Sequence, residues 1–383
     1  MSKGAYIGVG GVAHKVKKGY IGVEGIARKI KKAYIGIGGV ARPCWGGGEL
    51  AYYGTITELS VGRSNMGATT VGNYALFAGG NTGYSTSAVY VTTVDAYDKS
   101  LTHSTPTELS VARDPAATTV GNYALFAGGR NGAGTTVTAQ ATVDAYDKSL
   151  TRSTPTELSV ARYSLDATAV GDYALFAGGG TSQSLAVVDA YNKSLTRSTP
   201  TELSVVRSDM GATAVGDYAL FAGGENVTTS ASTVDAYNKS LTRSTPTALS
   251  VYASNLAATT VGSYALFGGA GMSNIVAYDK SLTQSAPAAM SAAKKLLAAA
   301  TVGDYALFGG GFTQSGMTVT TYATVDAYND SLTQSTPTAL SAGRSSLAAT
   351  AVGDYALFGG GIHRTRTIGA PTVHSTVDAY TVA

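Results

Sequence analysis

The sequence is short of several things. It has one cysteine, Cys44, and one tryptophan, Trp45, in 383 residues. A single thiol excludes an intramolecular disulfide and a cysteine-based zinc site. Only 13% of residues are charged while 44% are apolar, which sets aside disorder, and the 48 glycines set aside coiled coils and helical bundles. No apolar run approaches the length of about 18 residues needed for a membrane-spanning helix. The start, Met1-Ser2-Lys3-Gly4-Ala5-Tyr6-Ile7, has no apolar signal core, so synthesis in a cytoplasm without a signal peptide is expected.

What the chain has is tyrosine, 24 of them, and repetition. Residues 1–45 hold nine Lys/Arg against Glu24 alone, whereas the rest holds 18 against 23 Asp/Glu, so a basic arm precedes a mildly acidic body. The arm repeats every 14 residues: Tyr6 to Ala13 recurs as Tyr20 to Ala27 and Tyr34 to Ala41. The pairs Gly10-Gly11, Glu24-Gly25 and Gly38-Gly39 lie between β-formers and read as two-residue hairpin turns. The expectation is a small basic β-meander over residues 1–47, too thin to bury a core by itself and needing a partner surface. Its cations include Lys15, Lys17, Lys18, Arg28, Lys29, Lys31 and Lys32. Its aromatics come once per repeat and each opens a strand, which argues against reading nucleic-acid bases.

Residues 48–383 carry a longer repeat. Tyr-Ala-Leu-Phe occurs seven times, from Tyr74 to Tyr355, each copy running into a glycine pair and then a Val-Asp-Ala-Tyr-like segment. One copy reads as four strands: Ala117 to Val120, Tyr123 to Phe126, Thr142 to Tyr146, and a fourth around Pro155 to Val160. Turns such as Gly121-Asn122 put glycine first, the type II′ preference. Four strands in about 50 residues describe a propeller blade.

The repeats resemble kelch motifs: Leu125-Phe126-Ala127-Gly128-Gly129, then Tyr146, then Arg162 follow the kelch order over about seven-eighths of the chain. The kelch tryptophan is missing; Ser104, Ser153 and Ser198 stand near its place. The resemblance implies an all-β, seven-bladed kelch-type β-propeller of four-stranded blades. The domain begins with a fourth-strand segment and ends with a third strand, so the N-terminal strand, about residues 55–62, should complete the last blade and close the ring.

One face of such a ring repeats nearly unchanged, with Gly-Asn/Asp/Ser turns and Asp/Asn-Lys-Ser-Leu-Thr turns. The other face, made by second-to-third and fourth-to-first connections, varies. Its candidate binding residues are Tyr84, Tyr90, Tyr163, Tyr252, Tyr322, Lys294, Lys295, His363, Arg364, Arg366 and His374. Loops on a rigid frame commonly carry binding.

Arg63, Arg113, Arg162, Arg207, Lys294 and Arg344 share one repeat position, which Ala253 breaks; Asp95, Asp144, Asp189, Asp235, Asp326 and Asp378 share another, which Val276 breaks. Ala253 and Val276 belong to the same unit. Losing both charges together is the signature of a pair, because removing one partner of a buried pair is costly whereas apolar replacement of both can be neutral. Six structural ion pairs are therefore expected.

Catalytic constellations are missing. His363 and His374 share a loop without an evident third ligand, and there is no phosphate loop, Gly-x-Ser-x-Gly or His-Glu-x-x-His. No cofactor and no metal are expected, and no enzyme. The arm is similar to short repeats in structural proteins of phages and prophages of Gram-positive bacteria. That resemblance implies a virion display protein, with the arm docking to the particle, or to a homo-oligomer, and the loops recognising a host glycan or protein. An intracellular bacterial interaction scaffold and a kelch-type sugar-processing enzyme are the other readings.

Overall fold

In a computed structural model of the chain, the described residues are the strand backbones between Tyr6 and Gly46 and residues 48–382, except 84–87, 133–135, 227–228, 317 and 365–370. The chain divides into two compact units, residues 1–51 with 382–383, and residues 52–381.

The N-terminal unit contains three antiparallel hairpins: Tyr6–Val9 with Val12–Lys15, Tyr20–Val23 with Ile26–Lys29, and Lys32–Ile37 with Val40–Gly46. The innermost pairs are Val9 with Val12, Val23 with Ile26 and Ile37 with Val40; the expected turn pairs between them lie outside the described residues. Among the described residues each hairpin is its own two-stranded sheet, so the repeat makes three separate hairpins and not one meander. The cause is local: each 14-residue unit pairs within itself. Lys15, Arg28, Lys29 and Lys32 lie on these strands; Lys17, Lys18 and Lys31 lie outside the described residues.

The larger unit is a seven-bladed β-propeller of four-stranded antiparallel blades. Blade 1 comprises Gly67–Val71, Tyr74–Ala78, Val94–Asp98 and His103–Ser104; blade 2 comprises Ala116–Val120, Tyr123–Ala127, Val143–Tyr146 and Arg152–Ser153. Blades 3 to 6 open with Asp166–Val170, Gly211–Val215, Leu256–Val261 and Ala298–Val302. Blade 7 is Ala348–Val352, Tyr355–Gly359 and Val377–Val382, completed by the N-terminal strand Leu50–Ile56. First strands touch their neighbours around a closed ring.

The closing strand is earlier than expected, at Leu50–Ile56 instead of about 55–62, because beyond Ile56 the Leu59 N–H donates to the Ser375 carbonyl and the Ser60 N–H to the Asp95 carboxylate. The other fourth strands shorten in the same way, and each of them also meets a proline. Pro155 has no N–H to give a ladder. Beyond it, Leu158 N–H donates to the Ala141 carbonyl and Ser159 N–H to the Asp189 carboxylate, so the backbone donors are spent on loops and the next blade. The outer strand thus shrinks to Arg152–Ser153.

Between blades the packing repeats. The second-strand Phe meets the third-strand Tyr edge-on in all seven blades, with ring centroids 5.8 to 6.1 Å apart. Each Tyr hydroxyl donates to a carbonyl of the segment entering from the preceding blade, for example Tyr146 to Thr107 at 2.8 Å and Tyr97 to Thr57 at 2.9 Å. Seven tyrosines are therefore rivets, apolar in body and hydrogen-bonded at the tip.

The conserved-looking glycine pair has a steric reason. Gly79 and Gly80 have φ of +66° and +91°, and a Cβ on them would collide with the carbonyl oxygens of Arg113 and Ser64.

Candidate functional site

Asp95, Asp144, Asp189, Asp235, Asp326 and Asp378 are fully buried hubs. The distance to the matching Arg or Lys is 2.5, 2.7, 2.8, 2.5, 2.9 and 2.5 Å respectively, from Arg63, Arg113, Arg162, Arg207, Lys294 and Arg344. Each carboxylate also accepts the N–H of a serine from the entering segment, such as Ser110 and Ser204. Its outer flank takes a side chain from the fourth strand: His103, Arg152, Arg197, Arg243 and Gln334, and in blade 7 the Tyr52 hydroxyl at 2.6 Å. Burial and the bond to Asp378 push the Tyr52 hydroxyl up to about 12. Burial works against the charge of Asp95, but Arg63 beside it holds the carboxyl below the usual range. In blade 5 the same places hold Ala253 and Val276, packed in an apolar cluster with Leu249 and Phe267. Lys294 is fully buried in its pair with Asp326, so it is a staple and not a group available to a ligand.

Above these hubs the variable connections converge on the ring axis. They surround a cavity of about 730 Å³ to which all seven blades contribute. Its collar is built from one residue in each of six blades: Asn65, Ser164, Asp209, Asn255, Leu296 and Ser346, all with φ between +51° and +56°. Backbone hydrogen bonds run from blade to blade along it, Asn65 to Ser346 and Ser346 to Leu296, and Asn255 to Asp209 and Asp209 to Ser164.

Blade 2 breaks the collar. Between Arg113 and Thr118 lie four residues, where the other blades have five, as between Arg63 and Thr69. The missing one is the left-handed residue. Asp114 has no positive φ, and as the residue before Pro115 it is disfavoured from helical backbone. Its carboxylate accepts the Arg130 N–H at 2.6 Å and Arg130 Nε at 3.0 Å. The Arg130 guanidinium also lies near the Tyr90 hydroxyl, opposing the rise that burial gives its pKa, and Arg130 Cζ lies 5.6 Å from the Tyr163 ring centroid. Burial raises Asp114 to about 6 even though Arg130 opposes the shift. Across the opening, burial and the neighbouring Asp209 charge raise Asp166 to about 7. The opening residues of first strands, such as Gly67, Ala116 and Asp166, line the cavity, and farther along these strands threonine hydroxyls bridge blades, as Thr69 to Thr119 at 2.8 Å.

Of the sequence-predicted residues, Tyr90 and Arg364 line this cavity. Tyr163 does not line the cavity; its hydroxyl donates to the Thr181 carbonyl at 2.7 Å and it lines a neighbouring groove with Glu225. Lys295 Nζ and Arg364 Cζ lie 5.2 and 4.5 Å from the Phe312 ring centroid. Tyr322 is half-buried against Thr313. His363 Nδ1 lies 2.9 Å from the Gly343 carbonyl; burial lowers the pKa of His374, with Arg344 and His363 adding to the shift. Tyr252 is 74% exposed and does not line the cavity. Tyr84 and Arg366 lie outside the described residues. Sequence reasoning did not name Asp114, Arg130, Asp166 or Asp209 as site residues. The signals were there, in a connection one residue short and in a lone Asp166 where the other six blades have Gly67, Ala116, Gly211, Ala257, Ala298 and Ala348.

No group of three His, Cys, Asp or Glu among the described residues is arranged to hold a metal. No described helix is long and apolar enough to cross a membrane. No family model matches the chain, and no curated protein matches it.

Proposed function

We propose that the protein is a non-enzymatic binding and display module. Its kelch-type propeller presents the axial mouth to a glycan or protein on a host surface. Its basic hairpins, residues 1–47, dock it to an assembly, a phage virion. The supporting observation is the contrast within each blade: the backbone bonds that build the mouth recur, while the side chains they present change. Ser64 with Asn81, Asp114 with Arg130, Ser208 with Glu225 and Lys295 with Phe312 occupy matching backbone contacts with unrelated chemistry. A frame that holds while its displayed groups change suits recognition.

The test is binding of the purified full chain to a glycan array and to host cells, beside a control with the variable loops scrambled. Binding that the control loses supports the display role. Binding equal to the control, or turnover of a sugar by the protein, contradicts it.

A further inference from the structure

The mouth is not uniform, and its least uniform part is blade 2. The one-residue deletion removes the collar there, and the cavity extends over blades 1 and 2 as far as Ala88, Tyr90 and Val137. The groups around this breach are of a consistent kind. Asp114 and Arg130 form a carboxylate–guanidinium pair in which Nε and the backbone N–H of Arg130 are already used, which fixes the plane of both groups. Tyr90 stands beside the guanidinium, and Asn81 also lines the space. A fixed row of alternating donors and acceptors next to an aromatic ring matches the adjacent hydroxyls and the apolar face of a sugar ring.

Asp166 adds an independent indication. Six blades place glycine or alanine at its position, so the fold does not need a side chain there. A partly buried carboxylate facing Asp209 costs stability. Its value must lie elsewhere, and it lines the same cavity. With Asp114 paired to Arg130, the lining still holds Asp166 and Asp209 against Arg364, an excess of carboxylates that disfavours an acidic ligand.

We propose that the breach at blade 2 is a saccharide subsite taking one non-acidic sugar ring, hydrogen-bonded by Asp114, Arg130 and Asp166 and packed on Tyr90. This inference rests on the recognition role above and narrows it to one ligand class and one sector of the ring.

The experiment titrates the full chain with methyl glycosides of glucose, galactose, mannose and N-acetylglucosamine, and with glucuronic acid. Two variants accompany it: a serine inserted between Asp114 and Pro115 to restore the collar, and Asp166→Ala. At least one neutral glycoside should bind, glucuronic acid should not, and each variant should weaken binding by about tenfold or more. Should the insertion unfold the protein, Asp166→Ala decides, since six blades already accept Gly or Ala at that position. Loss of host-cell or array binding by the scrambled-loop control, with no effect of either variant and no glycoside binding, overturns the subsite and leaves the display role standing. If the full chain binds neither glycan nor cell, both fall.

Discussion

Blade 5 and its six neighbours have the same strands and differ in one buried place. Where six blades hold an Arg/Lys–Asp pair, blade 5 holds Ala253 and Val276. The axial mouth differs in the opposite way, since there six blades share the left-handed backbone position while the side chains presented around it differ. The first contrast shows a coupled interior, in which charges are kept or lost in twos. The second shows a surface whose groups change one at a time without disturbing the ring.

The most damaging way to probe the first contrast is to split a pair. Asp144→Ala leaves Arg113 charged and fully buried and should cost about 3–5 kcal/mol in denaturant unfolding. The double change Arg113→Ala with Asp144→Val, which copies blade 5, should cost far less than the sum of its parts. Additive losses would mean that the pair is not a unit.

The next effect has the opposite sign. Asp166→Ala should stabilise the protein by about 1–3 kcal/mol at pH 8. The folded-state pKa of Asp166, about 7, lies above its unfolded value, so the native state binds the extra proton between those two values. The cost of Asp166 is therefore full above pH 7 and absent below the unfolded pKa. The advantage of the variant should fade as pH falls from 7 toward 4, and thermal melts across that range would show it. A pH-independent gain would contradict the account.

Smaller still is Tyr52→Phe, which removes the bond to Asp378 that ties the N-terminal strand into blade 7. A loss of about 1 kcal/mol is expected, accompanied by faster amide exchange along Leu50–Ile56. At the low end, Tyr252→Ser at an exposed position should change stability by less than about 0.5 kcal/mol.

Most of the fold could be read in the sequence because the repeats average out local ambiguity. Seven copies of Tyr-Ala-Leu-Phe and their glycine pairs mark blades and turns. In the tight turns Gly72 and Gly121 have φ of +57° and +56° while Asn73 and Asn122 keep negative φ, as a type II′ turn requires. The joint loss at Ala253 and Val276 pointed to a contact that spacing alone could not reveal. The fourth strand was misplaced because β-formers after Pro155 look like a ladder, while their N–H groups go to a loop carbonyl and a carboxylate. The site was less legible. Loop tyrosines mark where variation lies, but the axial cavity depends on how seven short connections meet around an axis, and no single copy displays that. Nothing in the sequence sets Arg130 apart within its loop; its distinction is its place beside Asp114 and Tyr90.

The central claim is that binding belongs to the variable mouth and not to the constant face. It is tested most directly by comparing two variants on the same glycan array and host cells. One carries Tyr90→Ala with Asp166→Ala at the mouth; the other carries Lys193→Ser with Lys239→Ser, removing exposed pairs with Asp172 and Asp217 on the constant face. The account predicts that the mouth variant loses binding while the constant-face variant keeps it. Retained binding at the mouth variant with loss at the constant face would contradict it.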